Sequence, residues 1–304
     1  MKIAILGAGA LGCAFGGRLA QAGHEVQLLA RNPAHLRAIN EDGLQLTIDG
    51  VEHLVEVAAC RPDQARGPVD LVVLLTKTFH SDAALSDARA LLTPEVAVLS
   101  LQNGLGNGEC VSRHVAPENV LIGMSMTPAD LTAPGQVSLR SSGQTMFMFA
   151  DGQHRAFGEA LETACQAAGI NATYGADILP AIWEKVAFNS ATNAMLGVTR
   201  STPGILLQSS DAMALAKDLV AETIKVAHAS GVDASEARVQ ELIALSASKH
   251  PDHKPSMLQD LLAGRRTEVD SINGAIVAQA KKLGLFAPLN EVLYRLVKTC
   301  ETRG

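Results

Sequence analysis

The sequence predicts an α/β protein in which an N-terminal parallel sheet covered by helices is followed by an all-helical C-terminal domain. Three observations favour this fold class. Apolar segments typical of buried strands alternate with helical segments over the first part of the chain, and helical spacing dominates after Pro180. The chain of 304 residues is also long enough for two domains of roughly 100–200 residues each.

The composition narrows the function classes before any motif is considered. The chain is 47% hydrophobic and 18% charged, with a formal net charge of −6, which excludes a disordered or low-complexity protein. The net charge is mildly acidic, which argues against the basic surface that a nucleic-acid-binding protein needs. Only 3% of the residues are aromatic, which leaves few side chains on which bases could stack. We therefore expect no nucleic-acid partner.

Cysteine usage and the N-terminal segment favour a cytoplasmic location. The five cysteines are odd in number and widely spaced, as expected for reduced thiols. The opening uncharged run contains five glycines between residues 7 and 17, too many small residues for the apolar core of a signal peptide. No later segment approaches the roughly 18 apolar residues of a membrane span, so we expect no membrane partner.

The N-terminal segments form a βαβ unit. Lys2–Leu6 is a short apolar run that stops at Gly7, a helix is predicted over residues 12–21, and Glu25–Leu29 is the second strand. Two further strands are predicted at residues 70–75 and 96–100, and a helix is predicted between them at residues 81–92. Strands that alternate with helices form a parallel sheet covered on both faces.

The pattern changes after this α/β region. Residues 119–150 consist of short polar and apolar segments broken by prolines and glycines, which predicts antiparallel strands that close one edge of the sheet. After Pro180 the first helix is followed by helices predicted at residues 213–228, 234–248, 256–262 and 268–283. We therefore predict a sheet domain over residues 1–170 and a helical domain over residues 171–304.

A glycine-rich turn follows the first strand. It matches the G-x-G-x-x-G pattern with the residues Gly7, Ala8, Gly9, Ala10, Leu11 and Gly12. In this pattern the first glycine permits a tight turn, the second lets the backbone approach a pyrophosphate, and the third allows close packing of the helix on the strand. Because the motif lies between a predicted strand and a predicted helix, it predicts a Rossmann-type domain that binds a dinucleotide through these six residues. The alternative is a glycine-rich turn with a packing role only.

The end of the second strand predicts which dinucleotide is bound. An NAD-specific protein places Asp or Glu there, against the ribose hydroxyls, whereas this chain reads Ala30-Arg31-Asn32. With no carboxylate at this position to repel a 2′-phosphate, Arg31 can pair with that phosphate. A charge-assisted hydrogen bond of roughly 1.5–3 kcal/mol corresponds to about a ten- to hundredfold preference for NADP(H). The alternative is an exposed surface arginine.

Polar residues also follow the next two strands, where ligands sit in sheets of this kind. Thr76 and Lys77 come after one strand, and Gln102-Asn103-Gly104 after the other. Lys77 can offer positive charge to an anionic ligand, and Asn103 can orient a nicotinamide or a substrate. Ordinary loop polarity explains the same residues equally well.

One helix of the second domain carries a polar stripe. Lys185, Asn189 and Asn193 follow one another at intervals of four, so they share one face of the helix. Apolar residues flank them, and buried polar groups are costly unless something polar meets them. The stripe is therefore a candidate ligand-binding face, with a solvated helix face as the alternative. Ser256 and Glu268 lie in two further polar segments that capping or surface charge could explain.

Taken together, these segments resemble the ketopantoate reductase family (2-dehydropantoate 2-reductases) over nearly the whole chain. Besides the glycine motif, Arg31, Lys77 and Asn103, the resemblance rests on three more specific segments, Trp183-Glu-Lys-Val-Ala-Phe-Asn189, Ser256-Met-Leu-Gln-Asp260 and Arg265-Arg-Thr-Glu-Val-Asp-Ser-Ile-Asn-Gly274. It implies a Rossmann domain joined to a helical domain like that of 6-phosphogluconate dehydrogenase. The implied reaction is the NADPH-dependent reduction of 2-dehydropantoate to (R)-pantoate, a step toward pantothenate and coenzyme A.

The resemblance also implies roles for individual residues. Lys185 matches the family's catalytic lysine and Glu268 its active-site glutamate, which also counts among the cofactor-binding residues. The positions that match residues holding substrate or cofactor are Asn103, Asn189, Asn193 and Ser256. An ammonium can stabilise and then protonate the alkoxide that hydride delivery creates, so Lys185 is expected to be the general acid. Glu268 is expected to orient Lys185 or bind a hydroxyl, and its charge helps to keep the lysine protonated.

The sequence is also compatible with two other functions. One is a related NADP-dependent reductase of another small 2-oxo or hydroxy acid, and the other is a non-catalytic sensor that binds NADP(H), since fold does not imply function. The histidines and cysteines show no metal-ligand spacing, so no metal site is expected. Apolar helix faces in the second half could be core or the surface of a homodimer.

Overall fold

The computed structural model describes residues 1–140, 143–175 and 177–302 and divides into two compact units. Unit 1 comprises Met1–Gln102 and Asn107–Ile178, and unit 2 comprises Asn103–Gly106 and Leu179–Gly304. The strands, all in unit 1, are β1 (Lys2–Leu6), β2 (Glu25–Leu29), β3 (Leu44–Ile48), β4 (Val51–Val55), β5 (Ala58–Cys60), β6 (Leu71–Leu74), β7 (Ala97–Ser100), β8 (Val120–Ser125), β9 (Ala129–Ala133), β10 (Gln136–Leu139), β11 (Gln144–Phe149) and β12 (Asn171–Tyr174).

The helices divide between the two units. Those of unit 1 are α1 (Ala10–Gln21), α2 (Pro33–Asp42), α3 (Ser81–Asp87), α4 (Asn107–Val111) and α5 (Ala156–Ala167). Those of unit 2 are α6 (Leu179–Thr199), α7 (Ile205–Gln208), α8 (Ser210–Ala229), α9 (Glu236–Lys249), α10 (Ser256–Leu262), α11 (Asn273–Lys282) and α12 (Pro288–Glu301). Within the described residues, no helix is both long enough and apolar enough to cross a membrane.

The main sheet of unit 1 has the strand order β12-β11-β8-β7-β6-β1-β2-β5. Its strands run parallel to their neighbours except where β11 meets β8 in the antiparallel sense. Along β1, Ile3 and Ile5 enter one apolar cluster, whereas Ala4 and Leu6 enter another. Successive side chains of a strand point to opposite faces, so both faces of this sheet are covered. The predicted α/β class with a parallel sheet and a helical C-terminal region is confirmed.

A second, four-stranded sheet has the order β4-β3-β10-β9 and was not anticipated. The sequence predicts that residues 119–150 close one edge of a single sheet, and this is correct for β8 and β11 only. β10 instead pairs with β3 in the parallel sense and with β9 in the antiparallel sense. The partner strand β3 lies about ninety residues earlier in the chain, a separation that no local pattern reveals.

The strand β12 falls within the range that the sequence analysis gave to the helical domain. Residues 171–174 pair in parallel register with β11, so they belong to the main sheet of unit 1. Strand pairing of this kind depends on a partner outside the segment, whereas the local pattern after residue 150 is mostly helical.

Unit 2 is organised around α6. This helix of 21 residues packs against α8, α9, α10 and α12. Most of its residues from Trp183 to Gly197 are buried, because a helix with neighbours on several sides has no solvated face. The polar residues Asn189 and Asn193 are therefore held at fixed positions inside the unit.

Candidate functional site

The turn after β1 has the shape that a dinucleotide requires. Gly7 has φ of 111°, in the left-handed region that favours glycine, and a Cβ on it would collide with the backbone at Leu75 and Thr76. A Cβ on Gly12 would collide with the carbonyl oxygen of Gly7. At Gly9, by contrast, a Cβ would meet no atom of the described residues within 4 Å. Two glycines are thus needed for packing, and the third leaves its backbone open to a ligand.

The helix that follows this turn presents its N-terminus beside Gly9. α1 begins at Ala10, and its N-cap Gly9 supplies no side chain to cap the first turn. The first N–H groups of a helix lack intrahelical partners, and together with the helix dipole they form a site for an anion. Ala8 is buried, while Ala10 and Leu11 are partly exposed. The loop fits the pyrophosphate of a dinucleotide.

The structure brings a carboxylate to Arg31 that the sequence analysis did not foresee. The end of β2 itself carries none, but Asp87, the last residue of α3, places Oδ2 2.7 Å from Nη2 of Arg31. Both side chains remain 40–50% exposed, at 46% and 42%. The end of β2 thus carries no carboxylate of its own, as its sequence indicates, but α3 brings one to Arg31 from 56 positions away.

The half-buried Lys77 lies just beyond the carboxyl end of β6, in a loop that Gln102 holds in place. The Gln102 amide nitrogen donates to the backbone oxygen of Thr76 at 2.7 Å and to Oγ of Ser81 at 2.7 Å. Gln102 is 6% exposed, so these bonds are shielded from water. The neighbouring ends of β6 and β7 are thereby fixed to each other.

In unit 2, Asn103 and Glu268 are hydrogen-bonded. The Asn103 Nδ2 donates to Oε2 of Glu268 at 3.2 Å. The backbone N–H of Leu105 donates to the carbonyl oxygen of Ser271 at 2.9 Å, which holds the two segments side by side. Gly104 has φ of 87°, and a Cβ on it would collide with the same carbonyl group. The approach of Asn103 to Glu268 therefore requires the glycine that follows it.

Glu268 lies in a turn, not in the helix that the sequence predicts over residues 268–283. α11 begins only at Asn273, and the Glu268 carbonyl oxygen accepts hydrogen bonds from the N–H groups of Ser271 and Ile272, both at 3.1 Å. The preceding Thr267 donates from its backbone N at 2.8 Å and from Oγ1 at 2.7 Å to Oε1 of Glu301. The end of α12 therefore clamps the turn that carries Glu268.

Lys185 lies on α6 in the electrostatic field of Glu268. Removal of its ammonium from water lowers the pKa of Lys185 to about 8, and the Glu268 carboxylate offsets part of this effect. Glu268 is only 6% exposed, so its charge is poorly screened by solvent. The Glu268 carboxylate thus acts electrostatically on the Lys185 ammonium within unit 2.

The two asparagines of the same helix face contact each other. Asn193 Nδ2 donates to Oδ1 of Asn189 at 3.0 Å, as expected for residues at i and i+4. Both residues are buried. Outside this bond, Asn189 keeps an NH₂ group and Asn193 an oxygen, so the pair offers a ligand both a donor and an acceptor. Ser256, at the first position of α10, is exposed.

Four further residues form hydrogen bonds that position candidate site residues or their loops, and their sequence context assigns them no role: Asp87, Gln102, Thr267 and Glu301. Gln102 had a local signal, because it directly precedes Asn103 at the end of a strand. The others act through partners distant in sequence, so no local pattern could have identified them.

Comparison with known families gives two matches that together span most of the chain. Residues 3–152 match the model of ketopantoate reductase PanE/ApbA, and residues 177–301 match the model of the ketopantoate reductase PanE/ApbA C terminal. The two models divide the chain close to the division between its structural units.

Full-length relatives carry a related name. The chain is 32% identical over 302 residues to a 2-dehydropantoate 2-reductase of Streptococcus pyogenes, covering 99% of this chain and 98% of the relative. It is 34% identical over 304 residues to a 2-dehydropantoate 2-reductase of Pyrococcus horikoshii, covering 100% and 99%.

A solved structure with a different name is also very similar. The ternary structure of a D-mandelate dehydrogenase with NADH and anilino(oxo)acetate aligns with a TM-score of 0.94 at 32% identity. The alignment covers 100% of this chain and 99% of that one. That protein therefore shares the fold of this chain and binds the nicotinamide cofactor without a 2′-phosphate.

Proposed function

This chain belongs to the ketopantoate reductase family, and from that membership we propose that it catalyses the NADPH-dependent reduction of 2-dehydropantoate to (R)-pantoate. The product leads toward pantothenate and coenzyme A. The observation that carries the proposal is the coupling of Lys185 to Glu268, which equips the chain with a proton donor as well as a nucleotide-binding loop. A protein that only sensed NADP(H) would have no need of this pair.

Lys185 is the proton donor in this proposal. The bound nicotinamide supplies a hydride to the ketone carbon of the substrate, and negative charge grows on the ketone oxygen. The Lys185 ammonium stabilises that oxygen and transfers a proton to it, which gives the alcohol and a neutral amine that is reprotonated from solvent. With a pKa of about 8, Lys185 is protonated in most of the molecules at neutral pH. Its proton is also more acidic than that of an exposed lysine.

Glu268 and Asn103 maintain the protonated state of Lys185. The Asn103 Nδ2 donates a hydrogen bond to Oε2 of Glu268 and thereby helps to hold the carboxylate in place. The ionised Glu268 in turn favours the ammonium form of Lys185 against the desolvation that opposes it. Asn103 and Glu268 also contribute to cofactor binding in this proposal, through the amide NH₂ and the carboxylate oxygens.

The remaining side chains of unit 2 bind the substrate. The donor and acceptor that Asn189 and Asn193 offer suit the hydroxyl and carbonyl oxygens of a 2-oxo acid. Ser256 donates its hydroxyl to the substrate carboxylate, and its exposure on α10 leaves it accessible.

In this proposal NADP(H) binds mainly to residues 1–170, with Glu268 as a further contact, and residues 171–304 carry Lys185 and most of the substrate-binding side chains. The loop from Gly7 to Gly12 holds the pyrophosphate, while Arg31 and Lys77 attract the 2′-phosphate. The open approach at Gly9 supports this assignment. The reaction takes place in the cytoplasm, in keeping with the five free cysteine thiols.

A second candidate is the reduction of another small 2-oxo acid with NADH. The similarity to the D-mandelate dehydrogenase structure with NADH favours it, as does the carboxylate of Asp87 beside Arg31. The shape of the substrate pocket distinguishes the two candidates, since a dimethyl-substituted and a phenyl-substituted 2-oxo acid need different space.

The deciding experiment measures the loss of reduced-nicotinamide absorbance with purified protein. Ketopantoate and phenylglyoxylate are compared as substrates, each with NADPH and with NADH. The proposal requires kcat/KM for ketopantoate with NADPH to exceed the other three combinations. Faster turnover of phenylglyoxylate would favour the second candidate, and binding of nucleotide without turnover of either acid would indicate a sensor.

A further inference from the structure

The ion pair between Arg31 and Asp87 lies just after β2, where the proposed function places the 2′-phosphate of the cofactor. Arg31 is the second residue after β2, and the backbone on either side of it is held by hydrogen bonds. The Ala30 N–H donates to the carbonyl oxygen of Cys60 at 3.1 Å, and the Asn32 side chain caps α2 by accepting from two backbone N–H groups. The Arg31 side chain therefore projects from a fixed point, and its guanidinium contacts the Asp87 carboxylate at 2.7 Å.

The carboxylate of Asp87 does not stabilise the helix that carries it. It is the last residue of α3, and the C-terminal end of a helix carries partial negative charge that disfavours an acid. An exposed ion pair contributes only a small net stabilisation. The pair therefore contributes little to stability, and its main effect is on the charge at this surface.

We propose that Asp87 is a specificity-determining residue that weakens the preference of this chain for NADPH over NADH. The proposal rests on the assignment of Arg31 to the 2′-phosphate in the proposed function. A 2′-phosphate must take the guanidinium from Asp87 or share it, and it also meets the negative charge of the carboxylate. NADH, which carries a ribose hydroxyl at that position, meets neither penalty. Asp87 acts through Arg31 and is thus a positioning residue for the cofactor.

The first test replaces the charge and keeps the shape. Asp87→Asn should lower the Kd of NADPH about three- to tenfold and leave the Kd of NADH within about twofold. Both constants are measured by titrating the fluorescence of the reduced nicotinamide, without any substrate. Glu25→Gln is the matched control, because Glu25 forms an exposed ion pair with Lys2 at the opposite end of β2. This substitution changes the net charge by the same amount as Asp87→Asn. The control should leave both constants unchanged.

The second test asks whether the effect passes through Arg31. In an Arg31→Ala background, Asp87→Asn should change the ratio of the two Kd values by less than half of its effect in the unaltered protein. An unchanged ratio in Asp87→Asn, or an equal change in Glu25→Gln, would overturn the proposal, since both would show that Asp87 has no special relation to the 2′-phosphate.

The outcomes also separate this inference from the proposed function. If ketopantoate is not reduced but the Kd ratio responds to Asp87→Asn, the substrate assignment fails and the inference stands. If ketopantoate is reduced and the ratio does not respond, the inference fails alone. If neither nucleotide binds, both fail.

Discussion

The Asn103 side chain donates a hydrogen bond to Oε2 of Glu268 across 165 positions of sequence. Both residues belong to unit 2, in which the short segment Asn103–Gly106 joins the helical part of the chain. Because Glu268 also acts electrostatically on Lys185, this bond links an amide, a carboxylate and an ammonium in one set. The chemistry proposed for the chain depends on this set.

Loss of the Lys185 ammonium should remove catalysis and spare nucleotide binding. Lys185→Ala is expected to lower kcat by about a hundredfold or more, the usual range for a positioned acid. The Kd of NADPH, measured by fluorescence, should change by less than about twofold. Lys225→Ala, at an exposed position of α8, is the control. A kcat within tenfold of the unaltered protein would contradict the role of Lys185 as general acid.

The pKa of Lys185 predicts how the rate depends on pH. Only the protonated side chain can donate, so kcat/KM for reduction should fall as the pH rises through about 8. Glu268 raises the pKa of Lys185, so Glu268→Gln should move the midpoint of this fall to lower pH. Glu241→Gln, at an exposed position of α9, should leave the midpoint in place. Identical pH profiles for Glu268→Gln and the unaltered protein would argue against the coupling.

Gly104 should be indispensable for a reason that its neighbour Gly106 lacks. Both have positive φ, of 87° and 84°, so alanine strains the backbone equally at either position. Only at Gly104 would the new Cβ collide with the Ser271 carbonyl group. Gly104→Ala should therefore lower the melting temperature and kcat well beyond Gly106→Ala, as measured by thermal unfolding and turnover. Equal losses in the two variants would show that the approach to Ser271 is unimportant.

Alanine substitutions at two glycines of the nucleotide loop should impair different properties of the protein. Gly9→Ala adds a Cβ that lies more than 4 Å from every atom in the part of the chain that the structure describes, at a residue with negative φ. The stability of the free protein should therefore be unchanged. The same methyl group would stand where the pyrophosphate approaches, and the Kd of NADPH should rise about tenfold or more. Gly12→Ala should instead destabilise the free protein, since its Cβ meets the Gly7 carbonyl oxygen. Thermal unfolding and fluorescence titration distinguish the cases, and tight NADPH binding by Gly9→Ala would contradict the loop assignment.

The contact between Thr267 and Glu301 should stabilise the turn that carries Glu268. Thr267→Val removes the hydroxyl that donates to Oε1 of Glu301 and should cost about 1–3 kcal/mol of unfolding free energy. Thr299→Val, in which an exposed hydroxyl on α12 is lost, should cost less. Urea unfolding of both variants measures the difference, and equal costs would contradict the clamp.

The same contact should lose strength in acid. Burial opposes ionisation of Glu301, but hydrogen bonds from Lys298 and Thr267 outweigh it and lower its pKa below the usual 4.5. A carboxyl with a lowered pKa in the folded state stabilises the protein above its unfolded pKa, and this stabilisation is lost as the pH falls through the folded pKa. The cost of Thr267→Val should therefore shrink below about pH 4.5.

Local sequence patterns predicted the elements whose structure depends mainly on their own residues. The apolar runs at Lys2–Leu6 and Glu25–Leu29 became strands with those bounds, and the glycine spacing predicted a turn that only glycine can form at Gly7. Intervals of four residues placed Asn189 and Asn193 within hydrogen-bond reach. The second sheet and the start of α11 escaped prediction, because partner strands and turns are selected by contacts from elsewhere in the chain.

The sequence by itself determined the α/β class, the nucleotide loop and the polar face of α6, since each depends on residues that are close together along the chain. Only the tertiary structure decided that Asp87 meets Arg31, that Asn103 meets Glu268 and that Thr267 meets Glu301, at separations of 56, 165 and 34 residues. The physical reason is that charge and hydrogen bonding act through space over a few ångströms. Which side chains come that close depends on how whole strands and helices pack.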